Sequence, residues 1–163
     1  MRNQNVKLAL LTIVVILSGT FFTSSMSWGQ ANAGHLGGSW KGTVTATNPP
    51  GIGSFTDLIT FSTEGTVIES RRPLALTPFG RLLESAGHGA WTRTSNADFE
   101  VHFIFILQNA DTGDEFGTDN ISLHLTLDPT DQHLTGTFTS TVKNTSGNAL
   151  FVASGTYDAV PIQ

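Results

Sequence analysis

The sequence predicts an all-β fold, an antiparallel up-and-down β-barrel of about eight strands with one short helix in the long connection between the third and fourth. Three observations carry this. Beyond residue 34, apolar residues alternate with polar ones at period two, the spacing that puts one set on each face of a strand. The alternating runs are separated mostly by hairpin-length turns, which make sequential neighbours antiparallel and leave no room for crossover helices. A meander of this length avoids exposed edges best by closing on itself. A two-sheet sandwich is the competing arrangement, but it usually needs longer connections, and only one long connection is present.

Residues 1–33 read as a secretory signal peptide rather than as part of that fold. Met1 to Lys7 is short and basic, Leu8 to Leu17 is apolar apart from Thr12, and Gln30-Ala31-Asn32-Ala33 supplies small residues at a cleavage position after Ala33. An uncleaved anchor needs about 20 apolar residues, and the run here is interrupted by Ser18, Gly19 and Thr20. The expected product is one domain, 34–163, secreted or periplasmic and free of the membrane after cleavage. The whole chain has eight Lys/Arg and thirteen Asp/Glu, and the leader holds two of the bases and none of the acids, so the mature charge is −7. That balance disfavours nucleic acid, whose binding requires a basic face that displaces counterions. The chain has no cysteine, which excludes disulfide scaffolds, thiolate metal sites and thiol catalysis.

Each strand follows from its own pattern. Residues 39–47 place Trp40, Gly42, Val44 and Ala46 on one face and Lys41, Thr43, Thr45 and Thr47 on the other, until Asn48-Pro49-Pro50-Gly51 breaks the run. Residues 54–62 align Phe55, Asp57, Ile59 and Phe61, and Thr63-Glu64-Gly65 turns the chain into 66–71, where Ile68 is read as inward. In the connection 72–88, Thr77-Pro78 resembles a helix N-cap followed by proline at the first helical position. Phe79, Leu82 and Leu83 then share one helical face, so this segment is expected to be a short helix, either over a barrel mouth or against the outer wall. Residues 89–94 carry Trp91 and Arg93. Residues 98–108 align Phe99, Val101, Phe103, Phe105 and Leu107, but Ile104 and Ile106 occupy the other face. A strand apolar on both faces needs a cover, here either that helix or another copy of the chain in a homo-oligomer. After the acidic loop 109–117 come 118–128, with Ile121, Leu123, Leu125 and Leu127 in phase, then 133–143 with Leu134, Phe138 and Val142, and finally 149–160.

An eight-stranded barrel is either filled by its own side chains or holds one small ligand. Aromatic inward residues beside Gly42, Ala46, Gly136 and Ser140 leave gaps, so a small apolar molecule is the expected partner. The residues expected around it are Trp40, Phe55, Ile59, Phe61, Trp91, Arg93, Phe103, Phe105, Leu125 and Phe138. Polar residues for chemistry in such a lumen are few. Asp57, His88 and Arg93 form the candidate catalytic set, because a carboxylate, an imidazole and a guanidinium in an apolar cavity have the means for proton transfer and anion binding. Arg71-Arg72 is read as a solvated pair or as a contact for an anionic head group. His102 and His124 are expected on the outer face. The acidic stretch from Asp111 to Asp119 fits no known calcium-loop spacing and is read as solvated, and no nucleophile elbow, zinc helix or phosphate loop occurs, so neither a metal nor a cofactor is expected.

Gly38-Ser39-Trp40 at the head of the first strand resembles the G-x-W motif that opens lipocalins and their calycin relatives. The meander, with Leu134-Thr135-Gly136-Thr137 in its seventh strand, is similar to the same superfamily. The resemblance implies a barrel that binds a hydrophobic ligand, closed at its base by the tryptophan and a late-strand arginine. Here that arginine is absent or replaced by Lys143. In layout alone the chain also resembles allene oxide cyclase-type barrels, which implies a cyclase or isomerase acting on a lipid-like substrate as the alternative. An exported structural or interaction module with a filled core is the third reading.

Overall fold

The computed structural model describes residues 35–162; the signal-peptide expectation falls outside them. Ten strands are present: β1 (Gly38–Asn48), β2 (Gly53–Phe61), β3 (Thr66–Arg71), β4 (Leu74–Thr77), β5 (Gly80–Glu84), β6 (Gly87–Arg93), β7 (Asp98–Asn109), β8 (Glu115–Leu127), β9 (Leu134–Asn144) and β10 (Ala149–Pro161). Eight of them form a closed barrel in the order β1-β2-β3-β6-β7-β8-β9-β10, and β10 pairs back on β1. Every pairing is antiparallel, as the short turns require.

The expected helix is absent from the described residues; the segment is the β4–β5 hairpin instead. Its register, Leu74 opposite Leu83, follows the β3–β6 register, Glu69 opposite Gly87, with an offset of one residue. The two pairs are therefore one long hairpin, broken on one arm at Arg72-Pro73, where proline has no N–H to give, and on the other at Ser85-Ala86. Ser85 bridges its break: its N–H donates to the Ile106 carbonyl, and its Oγ accepts from Ile106 N. The N-cap-like signal was a turn signal. Thr77 Oγ1 accepts the Phe79 N–H (3.1 Å), the bond a capping threonine would make, and Gly80 at φ +103° then reverses the chain. Leu82 and Leu83 alternate like strand residues, 1 % and 39 % exposed, rather than sharing a helical face.

Inside, the barrel divides into a packed half and an open half. The packed end holds Trp40, whose indole N–H donates to the Leu36 carbonyl (3.1 Å), with Phe61, Phe99, Leu127 and Leu134. Trp91 stands edge-on to both Phe61 and Phe99, and its N–H donates to Ser62 O. Lys143 does not close this base: it pairs with Ala149 at the start of β10, whereas Trp40 pairs with Pro161 at the end of that strand. At the other end the β1–β2 and β9–β10 loops and the β4–β5 hairpin surround a mouth, with Phe79 at the hairpin tip against Phe116 (5.6 Å between centroids).

Two further expectations about faces are corrected. Ile68 points outward and is 48 % exposed; Val67, Glu69 and Arg71 take the inner face of β3. Ile104 and Ile106 are about half exposed, and among the described residues no helix covers them. Ile104 lies beside His88 and, through it, Ile68, in one outward row across β7, β6 and β3.

The hairpin makes a direct prediction. Leu82→Ala should cost about 2–4 kcal/mol in urea unfolding, because it removes a fully buried side chain, whereas Leu83→Ala should stay within about 1 kcal/mol. Equal losses would return both leucines to a single buried face.

Candidate functional site

The barrel interior contains acids and a cation where the alternation calls for apolar residues. Arg71, at the end of β3, turns inward where Asp57 of β2 lies opposite it. Its Nε donates to Glu84 Oε2 (2.6 Å), and its Nη2 donates to Glu84 Oε1 (3.0 Å) and Asp119 Oδ2 (2.9 Å). Phe105 lies 4.1 Å and Phe55 5.5 Å from the guanidinium carbon, ring-on, so aromatic faces cover the charge where water does not. Ser140 Oγ donates to Asp119 Oδ1 (2.6 Å). Burial opposes the charge on Arg71, but Glu84 and Asp119 outweigh it and its pKa is raised.

Below this ion pair lies a second cluster. Tyr157 Oη donates to Asp57 Oδ1, at the long distance of 3.4 Å. Gly42 makes room for both: a Cβ there would run into Asp57 Oδ1 and the Tyr157 hydroxyl. The gap that Gly42 leaves in the sequence is thus filled by a polar pair. Glu69 is fully buried beside them, and its Oε2 meets no hydrogen-bond donor. Burial pushes Glu69 up to about 8, the charges of Asp57 and Glu84 adding to the shift and Arg71 opposing it. Burial also pushes Asp57 up to about 6, against the lowering effect of its hydrogen bonds to Glu69 and Tyr157. Both shifts favour the neutral carboxyl, and a proton retained on Glu69 is how two adjacent acids avoid two buried charges. Burial and these same acids raise the Tyr157 pKa, so it stays a neutral phenol.

Above Arg71 the mouth opens into a cavity of about 300 Å³. Its walls are mostly apolar, from Ala46, Ile52, Phe55, Leu74, Phe138, Val142, Phe151 and Ala153, with Thr77, Pro78 and Phe79 from the hairpin tip. Its floor is Arg71, Glu84, Asp119 and Ser140, while Arg72 stands exposed at the rim with Nε on the Leu74 carbonyl. Asp57, Glu69 and Tyr157 do not line it.

Of the ten residues expected around a ligand, Phe55 and Phe138 line this cavity. Phe105 lies under Arg71 with Phe103 edge-on to it, and Trp40, Ile59, Phe61, Trp91 and Leu125 belong to the apolar core outside the cavity. The three catalytic candidates do not meet. Asp57 is inside, His88 faces solvent on the outer wall, and Arg93 is exposed beyond the packed end, its Nη1 on Asn96 O and its guanidinium over Phe99. His102 and His124 stand on the outer wall, bonded to Ser122 and Glu100. Sequence reasoning missed Glu69, Glu84 and Tyr157 as interior groups, and took Asp119 for part of a solvated loop. Comparison with protein-family models, with curated proteins and with solved structures returned no match.

The acid pair sets a pH dependence. Folded Glu69 holds its proton to about pH 8, whereas the unfolded chain releases it near 4.5; Asp57 behaves likewise between 3.8 and about 6. The folded state binds more protons throughout that window, so stability falls as pH rises through it. Asp98 and Asp128, exposed and lowered by side-chain hydrogen bonds, act below that range and in the opposite sense. Tm should fall by roughly 5 °C or more from about pH 5 to about pH 8. Glu69→Gln, which keeps a neutral hydrogen-bonding group, should remove most of that slope and raise Tm at the alkaline end. A wild-type Tm that climbs across the window would contradict the protonated pair.

Proposed function

We propose that this chain is an exported, lipocalin-like β-barrel that takes one small, largely apolar molecule into the cavity at its mouth. The observation that carries the reading is the asymmetry of the interior. One half is packed to the base with aromatic and aliphatic side chains, while the other keeps an apolar-walled space of about 300 Å³ above a fixed polar floor. That volume is at the small end of the ~300–1,000 Å³ of ligand pockets, and apolar walls with a few convergent polar groups are their usual construction. The space persists because its lining carries Ala46, Ser140 and Ala153 where the packed half carries Trp40, Phe61 and Leu134, and because the ion pair stops larger side chains from collapsing into it.

A catalytic role fits the arrangement less well. The acids with raised pKa values, Asp57 and Glu69, lie outside the cavity lining, and His88 and Arg93 are on the outer surface. Binding by shape and desolvation requires none of them to reach a ligand.

Titration with 1-naphthalenemethanol, a neutral fluorescent probe of suitable size, should saturate at one molecule per chain. Ala153→Phe, which directs a ring into the cavity from β10, should weaken that binding at least about tenfold, with the far-UV circular dichroism unchanged. Binding that survives the substitution would place the ligand elsewhere.

A further inference from the structure

The floor of the cavity also discriminates by charge. We infer that the ligand presents a hydrogen-bond-donating, preferentially cationic group, such as a primary ammonium, to the Glu84–Arg71–Asp119–Ser140 floor, and that carboxylate ligands are rejected. The inference rests on the cavity-binding reading and refines it.

Charge is the first argument. The desolvated floor holds one guanidinium and two carboxylates, already joined at 2.6 and 2.9 Å, so an anionic head group would be a third carboxylate on one cation. The other charged lining group is Arg72, exposed at the rim, where solvent and salt screen it.

The second argument is the hydrogen-bond inventory. Two carboxylates offer roughly eight lone-pair positions, and four hydrogen bonds occupy them: three from Arg71 and one from Ser140. The Ser140 hydroxyl proton is spent on Asp119, and three of the five Arg71 N–H groups are spent on these acids. Acceptor capacity at the floor is therefore left open while donor capacity is largely consumed, and a donor is what completes it.

The walls make the same choice. Phe138 and Phe151 line the cavity above the floor, and Phe79 closes it from the hairpin tip. Aromatic faces attract a cation and give nothing to an anion.

Three probes of one shape test this: 1-naphthylmethylammonium, 1-naphthalenemethanol and 1-naphthoate, each titrated by its own fluorescence at low and high salt. The ammonium should bind at least about tenfold more tightly than the carboxylate, the alcohol falling between, as expected for a hydrogen bond to a charged partner. The ranking should persist at high salt because the floor is buried. Asp119→Asn, checked by circular dichroism, should narrow the ammonium-to-carboxylate ratio to a few-fold, and Glu84→Gln should do the same if Asp119→Asn does not fold. Equal affinities, or tighter binding of 1-naphthoate, would overturn the charge preference while leaving the cavity reading standing. Failure of all three probes to bind would overturn both.

Discussion

The Arg71 guanidinium ties β3 to two strands, β5 and β8, with which β3 makes no backbone pairing. It rises from β3, takes Glu84 from the mouth hairpin with two parallel bonds, reaches Asp119 on β8 across the lumen, and is faced by the rings of Phe55 from β2 and Phe105 from β7. Burying such a pair costs desolvation that a simple apolar contact would not, and removing one partner would strand a buried charge at a cost of several kcal/mol. In return the arrangement fixes where the hairpin bends and divides the barrel into two levels. Everything below it is packed, and the space above it stays open.

That division explains the buried acids. A carboxyl pair in an apolar barrel would be unfavourable without a cation nearby. With Arg71 above and Tyr157 beside them, burial still raises both Asp57 and Glu69, which disfavours two charges side by side. Gly42 belongs to the same construction, since any side chain there would displace both Asp57 and Tyr157. The polar interior thus holds two clusters, one at Tyr157 and Asp57 and one from Glu84 through Arg71 and Asp119 to Ser140, and only the second meets the cavity.

Much of this was legible from alternation. Asp57 was in phase with Phe55 and Phe61, so parity alone placed it inward; Asp119 was in phase with Ile121 and Leu123, a signal that went unread beside the acidic loop. Tyr157 was in phase with Ala153 and Ala159 in the same way. The third strand was ambiguous because one Val stands against one Ile. Choosing Ile68 as inward reversed the whole strand and hid Glu69 and Arg71, since a period-two pattern changes face with a single step. Glu84 was hidden differently: its segment carried a threonine-proline signal shared by helix caps and hairpin turns, and local sequence does not distinguish the two.

By itself, the sequence determined the strand number to within the mouth hairpin, the antiparallel order and the face of most interior residues. These follow from residue-by-residue alternation and short turns, which are local properties. Only the tertiary structure decided which charged residues meet in the interior, that the long connection pairs as strands over the mouth, and that the lumen is full at one end and open at the other. Those outcomes depend on side chains from strands far apart in the chain. A buried guanidinium becomes stable only once closure brings Glu84 and Asp119 to it, and no local pattern encodes that meeting.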